Sequence, residues 1–195
     1  MLIGLTGQSG AGKSTVSKVF KENGYFVVDA DKVSRKVSES ESGKAALKAA
    51  FGEGVFESGN LNRKKLASIV FNDKKELQKL NTTLLPLICN EIDKIVKESG
   101  SSYILLDAPT LFESGINSRC DIILAVTAPF SALVSRIMAR DFLTKEEAES
   151  RISSQHSDSF FKENADIVLE NNGTLDELKD KALSTAIKIK NLKTI

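Results

Sequence analysis

The hydrophobic positions of the chain form two kinds of pattern. Short apolar runs favour strands at residues 2–5, 25–28, 103–106, 122–126 and 167–169. Between them, apolar side chains recur every three or four residues, which is typical of amphipathic helices. Strands that alternate with helices predict an α/β fold with a five-stranded parallel sheet.

The longest helical pattern runs from residue 33 to about residue 100, more helix than one crossover between strands needs. We predict that 33–100 is a helical subdomain inserted into a single domain of residues 1–195. Within it, Ser58-Gly59-Asn60 predicts a turn, and Pro86 predicts a kink or a break. A polar helical pair over 137–162 predicts a hinged lid.

Local signals mark the ends of several helices. Pro129 suits the first helical position of the helix that follows the fourth strand. Thr144 with Glu147, and Thr174 with Glu177, have the spacing of capping boxes. These signals predict helix starts near residues 129, 144 and 174.

The first apolar run leads directly into a glycine-rich loop. The segment from Gly7 to Ser14 fits G-x-x-x-x-G-K-S, the phosphate-loop pattern. Its glycines let successive N–H groups converge on an anion at a helix N-terminus. Lys13 would reach the β- and γ-phosphates, and the Ser14 hydroxyl would complete a Mg²⁺ shell. The loop therefore predicts ATP-type nucleotide binding and a P-loop fold.

Composition narrows the partners and the compartment. Lys and Arg number 27 and Asp and Glu 26, a formal charge of +1, which favours neither nucleic acid nor an anionic membrane. Cys89 and Cys120 are expected to be reduced thiols. The sequence shows neither a signal-peptide pattern nor an apolar stretch of bilayer length. We expect a cytoplasmic protein that is a monomer or a weak homo-oligomer.

Two carboxylates follow predicted strands, and ligands collect at the carboxyl ends of strands in such sheets. Asp31 suits a base that orients an acceptor hydroxyl and takes its proton during phosphoryl transfer. The alternative for Asp31 is a helix N-cap. Asp107 suits a Mg²⁺ ligand acting through water, with a strand-end turn residue as its alternative.

Arginines gather in two regions. Arg136, Arg140 and Arg151 fall on the polar helical pair after the fourth strand, where guanidinium groups would clamp phosphate oxygens. The alternative is a solvated charged face. Arg35 and Arg63 flank the helical region and would meet anionic groups on an acceptor. His156, the one histidine, is assigned no role.

The whole chain resembles the dephospho-coenzyme A kinase family, whose members use ATP to phosphorylate the ribose 3′-hydroxyl of dephospho-CoA. The matching segments run from one end of the chain to the other. They are Gly4-Leu5-Thr6-Gly7 with Gly10-Ala11-Gly12-Lys13-Ser14, Val28-Asp29-Ala30-Asp31 with Arg35, Phe51-Gly52, Gly59-Asn60-Leu61-Asn62-Arg63, Val70-Phe71, Asp107-Ala108-Pro109-Thr110-Leu111-Phe112-Glu113, Arg136, Arg140-Asp141, Arg151-Ile152 through Gln155, Ala165-Asp166-Ile167-Val168, and Asn171-Asn172-Gly173.

The resemblance implies roles that agree with the residue chemistry. Asp31 would be the base, Arg140 a lid clamp on the ATP phosphates, and Asn171 a contact near adenine; Lys13, Asp31 and Arg140 form the predicted catalytic set. The predicted nucleotide-binding residues are Gly10, Ala11, Gly12, Lys13, Ser14, Thr15, Arg140 and Asn171. The predicted residues for dephospho-CoA are Asp31, Arg35, Arg63, Pro109, Leu111 and Glu113. The predicted Mg²⁺ residues are Ser14 and Asp107.

Two departures from the family pattern and two other functions stay open. Leu85-Pro86 stands where the family usually has His-Pro, and the missing histidine would alter acceptor affinity. Thr110-Leu111 stands where the family usually has Leu-Leu. A P-loop kinase for a nucleoside, a nucleoside monophosphate or a sugar shares the loop and the lid. A GTP-dependent switch is disfavoured because the sequence has neither an N-K-x-D nor a D-x-x-G segment.

Overall fold

The structure, a computed structural model, describes residues 1–70 and 73–192; Phe71, which belongs to one of the quoted segments, lies outside them. Chain contacts divide the protein into two compact units. The first comprises Met1–Val27, Ser101–Leu111 and the chain from Arg119 onward, and the second comprises Val28–Gly100 with Phe112–Ser118. Whether residues 33–100 receive an acceptor and whether 137–162 act as a lid stay predictions.

Five of the strands form one sheet. The strands are β1 (Leu2–Gly7), β2 (Phe26–Asp29), β3 (Phe56–Glu57), β4 (Asn60–Leu61), β5 (Ile104–Asp107), β6 (Ile122–Thr127) and β7 (Ile167–Glu170). The large sheet has the order β2-β5-β1-β6-β7, and β1 pairs in parallel with both β5 and β6. This order puts β1, and the loop that follows it, at the centre of the sheet.

Nine helices are assigned in the described residues. They are α1 (Lys13–Glu22), α2 (Ala30–Glu39), α3 (Glu41–Phe51), α4 (Arg63–Val70), α5 (Lys74–Ser99), α6 (Phe130–Asp141), α7 (Lys145–Ser153), α8 (Asp158–Asn164) and α9 (Leu175–Asn191). Short 3₁₀ turns occupy Glu53–Val55 and Ile116–Arg119. No helix among the described residues is long and apolar enough to cross a membrane.

The sheet of the first unit is buried on both faces. Leu106 and Ala125 on one face have no exposed surface, and neither have Ile3, Leu5 and Leu124 on the other, as expected for parallel strands that are covered on both sides. Phe20 of α1 and Leu178 of α9 belong to the same buried cluster as Ile3 and Leu5. This core fixes the ends of the strands from which the candidate site is built.

The second unit is built from α2, α3, α4 and α5 and a two-stranded hairpin of β3 and β4. Its helices bury one apolar stripe each, represented by Leu47 of α3 and by Ile88 and Ile92 of α5. On its surface the Lys36 ammonium lies 2.6 Å from Glu91 Oε1. The second unit is therefore held together by the apolar faces of its helices and carries charged pairs on its surface.

The predicted α/β fold and its five-stranded parallel sheet are confirmed. Both capping boxes are present with their two reciprocal hydrogen bonds, at Thr144 and Glu147 and at Thr174 and Glu177. Pro129 is the N-cap of α6 rather than its first helical residue, a shift of one position. Strand and helix ends differ from prediction by one or two residues, as expected when ends fray.

Three local predictions were wrong or incomplete. Of the kink or break predicted at Pro86, the break is wrong, because α5 is one helix from Lys74 to Ser99, and its packing against neighbouring helices outweighs the lost hydrogen bond; the kink stays a prediction. The turn at Ser58-Gly59-Asn60 is part of an unpredicted hairpin, β3 and β4. Helix α8 was missed because it has only seven residues, too few for a clear period.

Candidate active site

The glycine-rich loop joins the end of β1 to the start of α1 in the first unit. Gly7 has a φ of 132°, and a Cβ there would collide with the Val126 carbonyl oxygen of β6. Gly12 has a φ of 110°, and its Cβ would lie 2.7 Å from Leu178 Cδ2. Only glycine fits these two positions, so the loop conformation follows from the sequence.

The loop leaves backbone donors available at a helix start. Gly12 is the N-cap of α1, and no side chain in the described part of the protein caps this helix. The N–H groups of Gly10 and Gly12 donate no hydrogen bond within the described residues. Uncapped amides at a helix N-terminus attract anions through their direction and the helix dipole. The loop has the chemistry of a phosphate site.

The Lys13 side chain lies across this loop. Its ammonium donates to the Gly7 carbonyl oxygen at 2.7 Å and to the Gln8 carbonyl oxygen at 3.3 Å. The side chain of Gln8 is buried, and its Oε1 has no hydrogen-bond partner in the described part of the chain. In this structure, the ammonium group of the predicted catalytic lysine is therefore hydrogen-bonded to the loop itself.

Ser14 and Asp107 are the predicted Mg²⁺ residues. Ser14 is exposed in the first turn of α1, and Asp107 ends β5, where its Cα is in register with Leu5 of β1. The described residues contain no group of three His, Cys, Asp or Glu side chains that would hold a metal by themselves. One hydroxyl and one carboxylate fit Mg²⁺, which keeps several waters and binds phosphates. They do not fit a cation that needs an all-protein cage.

The segment after β5 is tied to β1. Ala108 N–H donates to the Leu5 carbonyl oxygen at 2.9 Å, and the Thr6 hydroxyl donates to the Pro109 carbonyl oxygen at 3.3 Å. Leu111 is fully buried, and a Cβ on Gly4 would lie 2.9 Å from its Cδ2. Leu111 has a packing role in this structure, and its predicted contact with an acceptor stays a prediction.

Helix α6 brings two arginines to the loop. Arg136 Nη1 donates to the Gly10 carbonyl oxygen at 3.2 Å, and Arg140 Nη2 donates to the Ser9 hydroxyl oxygen at 3.1 Å. A purely solvated face, the alternative for these arginines, is therefore wrong for Arg136 and Arg140. Both guanidinium groups contact the loop, and their action as a phosphate clamp stays a prediction.

Asp141 connects Arg140 with Arg151 of α7. Arg140 donates to both carboxylate oxygens at 2.8 Å, and Arg151 Nη1 donates to Oδ2 at 2.6 Å. The hydrogen bond from Arg140 holds the pKa of Asp141 below its usual range. This carboxylate stays ionised over the physiological range and keeps two cations beside the loop.

Asn171 follows β7 and faces the other side of the loop. Its buried Nδ2 donates to the Ala11 carbonyl oxygen at 2.8 Å, and its N–H donates to the Thr127 carbonyl oxygen at 2.8 Å. A cavity of about 210 Å³ opens here. Its lining residues are Gly10, Gly12, Thr15, Arg136, Asn171 and Leu175. The predicted adenine contact therefore lines a cavity next to the loop.

The remaining predicted site residues lie in the second unit. Asp29 is the N-cap of α2 and accepts from Lys32 N–H at 3.0 Å, so the N-cap alternative for Asp31 is wrong. Asp31 is an exposed residue in the first turn of that helix. Asp31 therefore lies two positions after the N-cap residue, inside the helix.

Arg35 and Arg63 are brought together. Arg63 Nη2 donates to the Arg35 carbonyl oxygen at 3.4 Å, to Ser38 Oγ at 2.9 Å and to Glu39 Oε1 at 2.8 Å. The carbonyl oxygen of Glu113 accepts from Asn81 Nδ2 at 2.7 Å, and the Glu113 side chain is exposed. The acceptor roles predicted for these residues stay predictions.

Sequence reasoning missed the contacts of two polar residues in the segment 137–162. Gln155 Oε1 accepts from Ser9 N–H of the loop at 2.8 Å, whereas Asp141 joins Arg140 and Arg151. Both lie in segments quoted for the family resemblance, but nothing in their spacing indicates a partner. His156, to which the sequence assigned no role, stacks on Phe160 with ring centroids 3.7 Å apart.

Comparisons with known proteins decide between the kinases that share this loop. A family model described as dephospho-CoA kinase matches residues 1–177. The chain belongs to the dephospho-CoA kinase family. A dephospho-CoA kinase from Fusobacterium nucleatum is 41% identical over 179 residues, which cover 91% of this chain and 93% of that one. One from Oryza sativa subsp. japonica is 39% identical over 92% of this chain and 80% of that one.

Solved structures agree on the fold. The crystal structure of TT1252 from Thermus thermophilus superposes with a TM-score of 0.81 at 34% identity and covers 96% of each chain. A dephospho-CoA kinase from Campylobacter jejuni gives a TM-score of 0.69 at 22% identity over 98% of each chain, a likeness of fold. The predicted membership of the dephospho-CoA kinase family is confirmed.

Proposed function

We propose that this chain transfers the γ-phosphoryl group of ATP to the ribose 3′-hydroxyl of dephospho-CoA, giving coenzyme A and ADP. The observation that carries the proposal is the loop from Gly7 to Ser14, in which the Gly10 and Gly12 amides donate to no group among the described residues. Family membership supplies the acceptor, because the relatives it matches are named dephospho-CoA kinases.

The loop and the lid arginines supply binding and charge. Phosphoryl transfer depends mostly on positioning and on neutralising the phosphate oxygens. The Lys13 ammonium, now on two loop carbonyl oxygens, would turn to the β- and γ-phosphates, and Arg140 would add a second cation. Ser14 and Asp107 would hold Mg²⁺, directly and through water, and the bound ion would supply positive charge for the phosphate oxygens.

Asp31 would act on the acceptor. Its carboxylate accepts the proton of the ribose 3′-hydroxyl while that oxygen forms a bond to the γ-phosphorus. The bond between this phosphorus and the bridging oxygen breaks, and ADP leaves with the electron pair. Arg35 and Arg63 would hold anionic groups of dephospho-CoA. Their contact through the Arg35 carbonyl oxygen supports a joint role.

A kinase for another small acceptor is the second candidate. The phosphate loop and the lid arginines are common to such enzymes and do not distinguish among them. The match of the family model over residues 1–177 favours dephospho-CoA as the acceptor, because the matched range includes the whole second unit.

The experiment is ADP release with purified protein, Mg²⁺-ATP and one acceptor at a time. We expect turnover with dephospho-CoA and little with adenosine, AMP or gluconate. Lys13→Ala should abolish turnover while its thermal unfolding curve stays close to that of the wild type. A higher kcat/KM for one of the other acceptors would overturn the proposal.

A further inference from the structure

Ser9 is the loop residue that the lid region holds from two sides. Its N–H donates to Gln155 Oε1 at 2.8 Å, and its hydroxyl oxygen accepts from Arg140 Nη2 at 3.1 Å. Gln155 lies just after α7, whereas Arg140 lies near the end of α6. One residue of the phosphate loop therefore contacts both halves of the helical pair.

The Gln155 side chain is held in this orientation. Its Nε2 donates to the Arg151 carbonyl oxygen at 3.0 Å, so the other end of the amide, Oε1, faces Ser9. A flipped amide would set donor against donor at Ser9 and acceptor against acceptor at Arg151. Ile152, 3% exposed in the core of the first unit, anchors the same turn. The orientation of the Gln155 amide is therefore fixed before any ligand binds, with Oε1 as the acceptor for Ser9 N–H.

The Ser9 amide differs from its neighbours in the loop. The N–H groups of Gly10 and Gly12 have no hydrogen-bond partner among the described residues, whereas Ser9 N–H is used by a side chain. Between Gly10 and Gly12, Ala11 N–H donates to the Gln8 carbonyl oxygen within the loop. The Gly10 and Gly12 amides suit phosphate, and the Ser9 amide fixes the loop relative to α7.

Arg140 depends on the same arrangement. It contacts Ser9 and Asp141 at once, and Asp141 also holds Arg151, four residues before Gln155. The contacts close a ring from the loop through α6 and Asp141 to α7 and back through Gln155. Removing one member of such a ring loosens the placement of the others.

We propose that Gln155 is a positioning residue that couples α7 to the phosphate loop and so sets Arg140 for ATP. This inference rests on the proposed function, because it assigns Arg140 to the ATP phosphates. Gln155 acts through Ser9 and Arg140 rather than by touching the nucleotide.

The test uses Gln155→Met, which keeps the length of the side chain and removes both hydrogen bonds. A net hydrogen bond of ordinary strength corresponds to about a fivefold loss of kcat/KM for ATP. We expect that loss with an unchanged KM for dephospho-CoA and an unchanged midpoint of thermal unfolding. Hydrogen exchange should show a less protected Ser9 amide and an unchanged Gly10 amide. Ser153→Ala, an exposed position on the same helix, is the matched control.

Three results would overturn the proposal. Unchanged ATP kinetics would show that the Ser9 contact has no consequence for ATP. A loss shared equally by both substrates together with a lower unfolding midpoint would indicate a structural role only. Tighter ATP binding would show that Gln155 competes with phosphate for the loop. ATP binding by calorimetry gives this answer even if the wild type phosphorylates no acceptor, so failure of the proposed function stays distinguishable.

Discussion

The phosphate loop of the first unit and the charged surface of the second unit are built on opposite principles. The loop is specified by missing side chains, since Gly7 and Gly12 have backbone angles and neighbours that exclude a Cβ. In the second unit, Arg63 and Glu39 form an exposed ion pair on amphipathic helices. The comparison teaches that a site formed by backbone groups tolerates almost no substitution, whereas a substitution in an exposed ion pair changes stability only slightly.

The largest effect should come from adding one methyl group to the loop. Gly7→Ala places a Cβ against the Val126 carbonyl oxygen at a φ of 132°, so strand and loop must move apart. We expect a loss of about 3 kcal/mol or more in the free energy of unfolding and no measurable ATP binding. Denaturant unfolding and calorimetry measure the two effects.

Gly54→Ala in the second unit is the matched control for this change. A Cβ at Gly54 meets nothing within 4 Å, so unfolding and ATP binding should stay near the wild type. Equal effects of the two substitutions would contradict the contrast between the regions.

A large catalytic effect should follow from a change of one atom in the second unit. Asp31→Asn removes the proposed base, and loss of a general base lowers turnover by roughly 10²–10⁴-fold. Calorimetry should show ATP binding close to that of the wild type, because Asp31 is assigned to the acceptor.

Asp29→Asn tests whether this effect belongs to Asp31 alone. Asparagine caps helices as well as aspartate does, so α2 should stay capped and turnover should be largely kept. If Asp31→Asn weakened ATP affinity as much as turnover, its assignment as a base would fail.

A smaller effect is expected on the pKa of Glu39, which lies on the surface of the second unit. The hydrogen bond and the charge of Arg63 hold the pKa of Glu39 below its usual value of 4.5. In Arg63→Ala that pKa should return towards the usual value, which an NMR titration of the Glu39 carboxyl measures.

The lowered pKa of Glu39 determines how the stability of the fold changes with pH. A carboxyl whose pKa is lower in the folded state stabilises the fold above its unfolded pKa, and that gain disappears as the pH falls through the folded pKa. The wild type should therefore lose slightly more stability than Arg63→Ala on acidification below pH 4.5. An unchanged Glu39 pKa in the variant would show that another cation sets it.

The smallest effect should come from Phe142, which follows α6. Its φ is 55°, a left-handed conformation that favours glycine, and its side chain is 93% exposed. Phe142→Gly should stabilise the fold by about 0.5 to 1 kcal/mol. Phe142→Ala keeps the Cβ and should give no such gain. Equal stabilities of the two variants in denaturant unfolding would exclude backbone strain as the cause.

Prediction from sequence succeeded where a local pattern has one physical outcome. The capping boxes at Thr144 and Thr174 formed because each needs only residues three apart. The continuity of α5 through Pro86 could not be predicted from the sequence, because it depends on how the whole helix packs. For the site, the loop from Gly7 to Ser14 was predictable, whereas the contact of Gln155 with Ser9 joins residues 146 positions apart.

By itself, the sequence determined the parallel α/β sheet, the conformation of the phosphate loop and the family, because apolar periodicity, glycine positions and motif spacing are local properties of the chain. Only the tertiary structure decided which groups meet that loop. Arg136, Arg140, Gln155 and Asn171 reach it from α6, from the end of α7 and from the end of β7. The physical reason is that hydrogen bonds between distant residues depend on how helices pack on the sheet, and local spacing carries no record of that packing.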